Sequence, residues 1–380
     1  MQHFDYIIAG GGASGLLLAY RMAGDDFFNN KSIAIIEKEE KNTNDRTWCF
    51  WEVPGGEFDH LLHQKWQYGL FKSEGFKRSF PFAPYEYKML RSGSFYGFIR
   101  KKISEKGNFS IIKGMVLSAE DTGTHVIVKT DAATYTCQQC FSSIFNGELA
   151  KGQTRYPLIQ QHFVGWFVKT ETPVFNANEA TFMDFDLPQR GNTRFMYVLP
   201  FSETEALLEY TLFSEKLLST DEYEAAIKDY LYNLGVKNYK ITEKEQGSIP
   251  MSSYPFWDNN TQNLMYMGSA GGWTKASTGY TFLNSVRKTK ALAQFLKSGK
   301  PLNTFQKRNR FWYYDLLLLH ILYEKNHEGS RIFGSLFKKS QPSQILKFLD
   351  EQTTFFEDLK VMTKAPTGLF LRAVLKRVLG

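Results

Sequence analysis

Four residues near the start of the chain have the types and spacing to hold a dinucleotide. Gly10, Gly12 and Gly15 fit G-x-G-x-x-G, and Glu37 follows 22 residues after Gly15, near the spacing of an acid that holds a ribose hydroxyl. Gly10 allows the tight turn, Gly12 lets a pyrophosphate reach the backbone, and Gly15 lets the following helix pack close, with its N-terminus toward the phosphates. A glycine turn without a ligand would use the same three residues. A different chemistry is written into Ala206-Leu207-Leu208-Glu209-Tyr210-Thr211-Leu212-Phe213. An ionised carboxylate is costly to bury, so desolvation raises the pKa of Glu209 and favours its protonated form. A protonated acid beside an apolar cavity can give a proton to a substrate with no polar handle. A solvent-facing glutamate on a half-exposed strand would show the same pattern. Cys137 and Cys140 have C-x-x-C spacing, but they fall at a strand end with neither further metal ligands nor a helix start nearby, so no metal site is expected.

These residues need elements to position them. The apolar run 4–9 reads as a buried strand, 16–22 as a helix and 32–36 as a second strand ending at Glu37, a βαβ start. Residues 45–51, with Trp48 and Trp51, read as a loop, and 80–88, broken by Pro81 and Pro84, as an edge strand or extended loop. A helix is expected over 95–103, and the stretch 109–140 as a small β-meander with turns at 121–123 and 130–132. Residues 141–145 read as a buried strand. The strands 163–170 and 180–184, and a hairpin of 194–201 with 206–213, form a mainly β region. In that hairpin Glu209 is expected opposite Val198, near Met196 and Pro200, with Leu207, Thr211 and Phe213 on its own face. Ser219 and Glu222 form a capping box opening a helix that Gly235 stops. The short strand 265–268 runs into a second glycine-rich stretch, and Ser277-Thr278-Gly279-Tyr280 precedes a helix over 281–296, a candidate second anion site. From Pro301 the pattern is helical, with amphipathic segments at 308–323 and 342–356. The basic, apolar tail 369–379 suits either an interfacial helix or docking on the protein's own core.

Composition bounds the rest. The 380 residues are 43% hydrophobic and 22% charged, enough for an ample core and more than one domain. The 33 Phe, 20 Tyr and 7 Trp are enough rings to fill a core and line an apolar cavity as well. Net charge is +7, but no basic block is long enough to point to nucleic acid, whereas a mild positive excess suits an anionic membrane surface. The most apolar window, 311–323, is interrupted by Asp315 and His320 and is too short to span a bilayer. Three cysteines without a secretory signal favour reduced thiols and a cytoplasmic protein.

Several segments resemble the flavin-dependent lycopene cyclases. Asp45-Arg46-Thr47-Trp48-Cys49-Phe50 resembles that family's HTW-x-F segment, and Gln161-His162-Phe163-Val164-Gly165 its Q-x-F-x-G segment. Phe182-Met183-Asp184 with Tyr197-Val198-Leu199-Pro200 is similar to MD…YxLP, and Leu207-Leu208-Glu209-Tyr210-Thr211 to the (F/L)-(L/I)-E-(E/D)-T motif, whose first acid is the family's proposed proton donor. Glu245-Gln246-Gly247-Ser248-Ile249-Pro250 resembles EQGxLP, and Ser277-Thr278-Gly279-Tyr280 resembles (P/S)TGY. Three positions depart: Tyr210 replaces the second acid, Asn146-Gly147-Glu148-Leu149 replaces a DxR stretch, and Ser269 follows Gly268 where many flavin hydroxylases have aspartate. The resemblance implies an α/β fold of the two-dinucleotide-binding-domain flavoprotein type. It has a Rossmann-like FAD-binding domain (1–155 with 260–300), a β-rich substrate region (156–259) and a helical C-terminal region (301–380). It further implies FAD in its reduced form with NAD(P)H as reductant, a substrate such as lycopene or another linear carotenoid, and closure of its ends to β-ionone rings without net redox change. Glu209 would be the acid and Glu245 a second carboxylate. Gly10, Gly12, Gly15, Glu37, Gly268, Thr278 and Gly279 would hold the cofactor, and a water-insoluble substrate implies peripheral membrane contact. The competing readings are an FAD-dependent monooxygenase or polyene reductase acting on an apolar isoprenoid, and a flavin-binding protein without turnover.

Overall fold

The computed structural model describes residues 1–379, with side chains through Arg377. Its first sheet has seven strands: β1 (Gln2–Ala9), β2 (Ile33–Glu37), β8 (Phe109–Lys113), β9 (Val116–Asp121), β10 (Val126–Thr130), β11 (Thr134–Ser142) and β17 (Leu264–Tyr266). Their order is β8-β2-β1-β11-β10-β9, with β17 also on β11. The second sheet, also seven-stranded, contains β5 (Tyr68–Ser73), β6 (Phe76–Pro81), β12 (Leu158–Thr170), β13 (Glu179–Asp184), β14 (Thr193–Pro200), β15 (Glu205–Ser214) and β16 (Tyr239–Ser252). They run in the order β16-β12-β15-β14-β13-β5-β6. A three-stranded sheet, β3-β7-β4, is made of β3 (Thr47–Glu52), β4 (Gln64–Trp66) and β7 (Glu86–Arg91). The helices are α1 (Ala13–Ala23), α2 (Ser92–Ser104), α3 (Glu148–Lys151), α4 (Thr220–Asn233), α5 (Phe282–Leu296), α6 (Arg310–Glu324), α7 (Gly329–Lys339), α8 (Pro342–Leu349), α9 (Phe355–Met362) and α10 (Thr367–Leu379).

The first sheet is an α/β layer, as expected. β1, β2, β8, β11 and β17 are mutually parallel, and α1, α2 and α5 cover one face through Leu17, Leu18, Phe95, Ile99 and Leu292. Burial on both faces is what lets 4–9 read as an unbroken apolar run. The meander is shorter than expected. β9, β10 and β11 are antiparallel neighbours, but β8 has left them for the opposite edge, where it pairs parallel with β2. The strand expected over 141–145 is the end of β11 and stops at Ser142.

The second sheet is covered on both faces. α4 packs on one through Tyr223, Ile227 and Leu231, against Val164, Trp166, Met196 and Leu208. The other face carries an aromatic cluster, including Phe71, Phe182, Phe195 and Phe213, capped by Leu319 and Leu322 of α6, Phe333 and Phe337 of α7, and Ile345 and Leu346 of α8. The edge hairpin β5–β6 comes from residues 68–81, ahead of the 156–259 stretch expected to build this sheet. The stretch 45–51, expected as a loop, is largely strand β3, and β7 is the middle strand of its sheet. The prolines fall at the end of β6 and in the turn before β7, where no ladder donor is needed. The segment 342–356 is two helices. α8 ends at Leu349, Glu351 takes a left-handed φ of 60°, and Thr354 with Glu357 forms a new capping box for α9.

Candidate active site

Glu209 lies mid-strand in β15, and the register sets it between Tyr197 on β14 and Gly165 on β12. Gly165 is in turn opposite Glu245 on β16. Directly opposed residues share a face, so Tyr197, Glu209, Gly165 and Glu245 form one row. Gly165 adds no side chain to it, which makes the two glutamates neighbours. A Cβ at Gly165 would lie 2.9 Å from Leu207 Cδ1 and 3.0 Å from Glu245 Cγ. The expected partner of Glu209, Val198, is instead opposite Leu208. The cause is the hairpin loop, one residue longer than the sequence reading allowed. Phe201 N–H bonds to Glu205 C=O at 2.7 Å, and the Ser202 hydroxyl accepts the Thr204 and Glu205 N–H groups. The slip exchanges the β14 residues beside Glu209 from Met196 and Val198 to Phe195, Tyr197 and Leu199. Tyr210, which replaces the second acid of the motif, points the other way, into the α4 core, where Arg194 Nη1 donates to its hydroxyl at 3.0 Å.

The face bearing Glu209 looks toward the three-stranded sheet. Thr47 on β3 donates to Glu245 Oε2 at 2.6 Å, and Arg91 on β7 ion-pairs with Glu243 while its guanidinium sits 4.5 Å from the Phe167 ring centroid. Cys49, Tyr87 and Tyr280 complete the enclosure, with Trp51 edge-on to Tyr280 at 4.8 Å. Glu209 and Glu245 are both half-buried in it. Burial, and then the Glu245 carboxylate, push Glu209 up to about 8, and its hydrogen bond from Thr211 at 2.8 Å opposes this only in part. Burial raises Glu245 as well, but the Thr47 hydroxyl and the Arg91 guanidinium pull it back. Burial thus raises both carboxylates, and their mutual repulsion favours keeping a proton on the pair. Burial first, then the two carboxylates, push the Cys49 thiol up, and Tyr87 and Tyr197 are raised by burial too, so these groups stay neutral. A cavity of about 240 Å³ lies on the opposite face, between α4 and Asp184, and contains none of the candidate residues. The two carboxylates and the aromatic rings lie together on the Glu209 face.

The glycines of the two expected cofactor loops come together. Gly10 has φ of 100°, and a Cβ at Gly15 would stand 2.0 Å from Gly10 O, so the turn and α1 tolerate no side chain there. Gly12, at the N-terminus of α1, faces open space. Glu37 Oε2 accepts the Gly11 N–H at 2.6 Å, which anchors the acid against the glycine turn. Gly268, with φ of 61°, lies against Ser14 in the first turn of α1, and Ser14 bonds Ser285 of α5 at 2.8 Å. Thr278 and Gly279 sit just before α5, and a Cβ at Gly279 would meet Gln161 Oε1 of β12 at 2.2 Å. That buried Gln161 oxygen has no hydrogen-bond partner. An open backbone cradle at a helix N-terminus, a second glycine loop beside it and an orphaned polar atom at the junction fit a dinucleotide reaching from Gly12 toward Gly279.

Three contributors escaped the sequence reading. Nothing local marks Arg91 as the cation beside Glu245. Gly165 was legible as the last residue of the Q-x-F-x-G segment and as a glycine inside a strand, which signals close approach without saying of what. Lys275, buried in the loop before Thr278, pairs with Asp315 at 3.0 Å and Glu351 at 3.1 Å, and so ties that loop to the C-terminal helices. Among the described residues, no group of three or more His, Cys, Asp or Glu is arranged to hold a metal ion, and Cys137 and Cys140 are free thiols in the core.

Comparison with known proteins places this geometry. Part of the chain is 26% identical over 182 residues to lycopene beta-cyclase of Paracoccus sp. (strain N81106 / MBIC 01143), covering 46% of each protein. Another match is chloroplastic neoxanthin synthase of Solanum tuberosum, 29% identical over 164 residues, or 39% of this chain and 32% of that protein. The matched segments thus span less than half the length of these relatives. Among solved structures, a geranylgeranyl bacteriochlorophyll reductase-like protein of Thermoplasma acidophilum aligns over 99% of both chains with a TM-score of 0.63 and 14% identity. The p-nitrophenol 4-monooxygenase of Pseudomonas putida DLL-E4 aligns over 100% and 99% with a TM-score of 0.57 and 13% identity. Those likenesses establish the flavoprotein-type fold. The family model for lycopene cyclase protein matches residues 5–375, from β1 into α10, and on that match the chain belongs to the lycopene cyclase family.

Proposed function

We propose that this protein is a lycopene β-cyclase that uses reduced FAD and an acid, Glu209, to close the ends of a linear carotenoid without net oxidation or reduction. The observation that carries the reading is the row Glu209–Gly165–Glu245 under an aromatic enclosure, in a member of the lycopene cyclase family. Gly10, Gly12, Gly15 and Glu37 would hold the adenosine and pyrophosphate of FAD, with Gly268, Thr278 and Gly279 toward its ring end. When bound in its reduced form, brought there by NAD(P)H, the flavin supplies negative charge beside a carbocation.

The protein's own groups account for the proton. Glu209 gives its proton to the terminal double bond of the end group. The cation formed is attacked by the neighbouring trisubstituted double bond, which forms the ring carbon–carbon bond. Loss of a ring proton to the carboxylate pair yields the β-ionone double bond, so protons balance and no hydride or oxygen is transferred. Glu245, which accepts from Thr47 and lies beside Arg91, is placed to take that proton or to stabilise the cation. The faces of Tyr197 and Tyr280 add cation–π attraction.

The test is pigment analysis of lycopene-accumulating cells expressing this chain beside its Glu209→Gln variant. Wild type should convert lycopene to bicyclic β-carotene of unchanged mass, and the variant should leave lycopene, a loss of about 10²-fold or more. A product that gains oxygen or hydrogen would move the assignment to a monooxygenase or polyene reductase.

A further inference from the structure

We propose that the outward faces of α9 and α10 form the surface by which this protein docks on an anionic lipid bilayer. The chain carries no acid after Asp358 but has Lys360, Lys364, Arg372, Lys376 and Arg377. The two helices lie end to end along α6. Asp358 of α9 takes Arg310 at 2.6 Å and Tyr314 at 3.3 Å near the start of α6, and Lys376 of α10 pairs with Glu324 at its end. Their inner faces are satisfied: Val361 is buried, and Ala373, with Leu369 and Phe370, packs on Ile321 and Ile332.

The outer faces are not. Phe356 is 82% exposed, Leu371 63% and Leu375 58%, joined by Phe355, Leu359 and Val374. Each helix thus presents exposed apolar side chains of its own, Phe355, Phe356 and Leu359 on α9 and Leu371, Val374 and Leu375 on α10. Lys360 of α9, Lys364 in the turn between the two helices and Arg372 of α10 have no ion-pair partner among the described residues. Apolar side chains among unpaired cations fit the acyl–headgroup boundary of an anionic membrane. A second copy of the chain fits poorly, because a two-fold contact would press the same cations against themselves. No helix of the described residues is long and apolar enough to cross a membrane, so the contact would be peripheral. The proposal rests on the cyclase reading only for its purpose, delivery of an apolar substrate, and its geometry is independent of it.

The experiment is co-sedimentation of the full chain with phosphatidylcholine vesicles, with and without phosphatidylglycerol. Wild type should bind the phosphatidylglycerol vesicles. A Leu371→Ser/Leu375→Ser variant and, separately, Phe356→Ser should each bind about tenfold more weakly with unchanged melting temperature. A Lys360→Glu/Arg372→Glu variant should lose the preference for phosphatidylglycerol. Cyclisation of detergent-dispersed lycopene should be unaffected in all of them, so a failure of this surface is read apart from a failure of the cyclase reading. Wild-type binding by all variants, absence of wild-type binding, or a wild-type dimer that Leu371→Ser/Leu375→Ser dissociates would each overturn it.

Discussion

Replacing Glu245 by glutamine should move the pH profile of ring formation down by about one unit. Glu209 and Glu245 are two strands apart, with Gly165 between them. Strand spacing of about 4.8 Å gives a separation of roughly 9.6 Å. At an effective dielectric of about 20, two unit charges at that distance interact by ~1.7 kcal/mol, or about 1.3 pKa units. An ionised Glu245 disfavours ionisation of Glu209, so it raises the Glu209 pKa, and removing that charge lowers it. Because the acid must be protonated, wild-type activity should fall on the alkaline side with a midpoint near pH 8. In Glu245→Gln the midpoint should sit near about pH 7, as glutamine keeps the length of the side chain and an oxygen for Thr47. The assay is the initial rate of β-ring formation from detergent-dispersed lycopene, with the flavin kept chemically reduced, from about pH 5 to about pH 10. Flavin absorbance in each sample separates loss of cofactor from loss of acid. A midpoint that stays put or rises would refute the charge coupling and leave burial alone to explain the raised acid.

Gly12→Ala should purify with less flavin at an unchanged melting temperature, because nothing of the protein lies within 4 Å of the added methyl. Gly15→Ala should instead destabilise the fold by about 1–3 kcal/mol, measured by denaturant unfolding, since its Cβ would overlap the Gly10 carbonyl. Gly165→Ala should keep the flavin but slow ring formation, because the methyl drives Glu245 and Leu207 apart; flavin absorbance with product analysis checks both halves. Lys275→Met should lower unfolding free energy by about 3–5 kcal/mol, as it leaves the buried Asp315, and the half-buried Glu351, without their cation.

The elements most legible in the sequence were those defined by local contrast. The β1–α1–β2 unit, the capping box at Ser219 and the strand around Glu209 each carry their own signal: an apolar run, a glycine spacing, a cap. Long-range pairing carries no such signal. Nothing within 109–113 says that this strand will leave its hairpin neighbours and join β2 in parallel. The break at Asp350–Thr354 was masked because apolar spacing continues across it on both sides. At the site, Glu209 stood out because a carboxylate interrupts an apolar run, whereas Arg91 and Lys275 matter only through partners 152 and 40 or more positions away.

The loop of residues 201–205 touches neither glutamate, yet it decides what surrounds them. It works as a spacer of odd or even length. With one residue fewer, the side chains of β14 would exchange sides, and Met196 and Val198 would replace Phe195, Tyr197 and Leu199 beside the acid. The Ser202 hydroxyl, by taking two backbone N–H groups, holds that count. An aromatic wall suited to a passing positive charge is thus specified at the rim of the sheet, by a serine with no chemistry of its own to perform. Variation in this loop would reach the site as a change in the polarisability of its lining, with Glu209 and its neighbours on β12 and β16 left where they are.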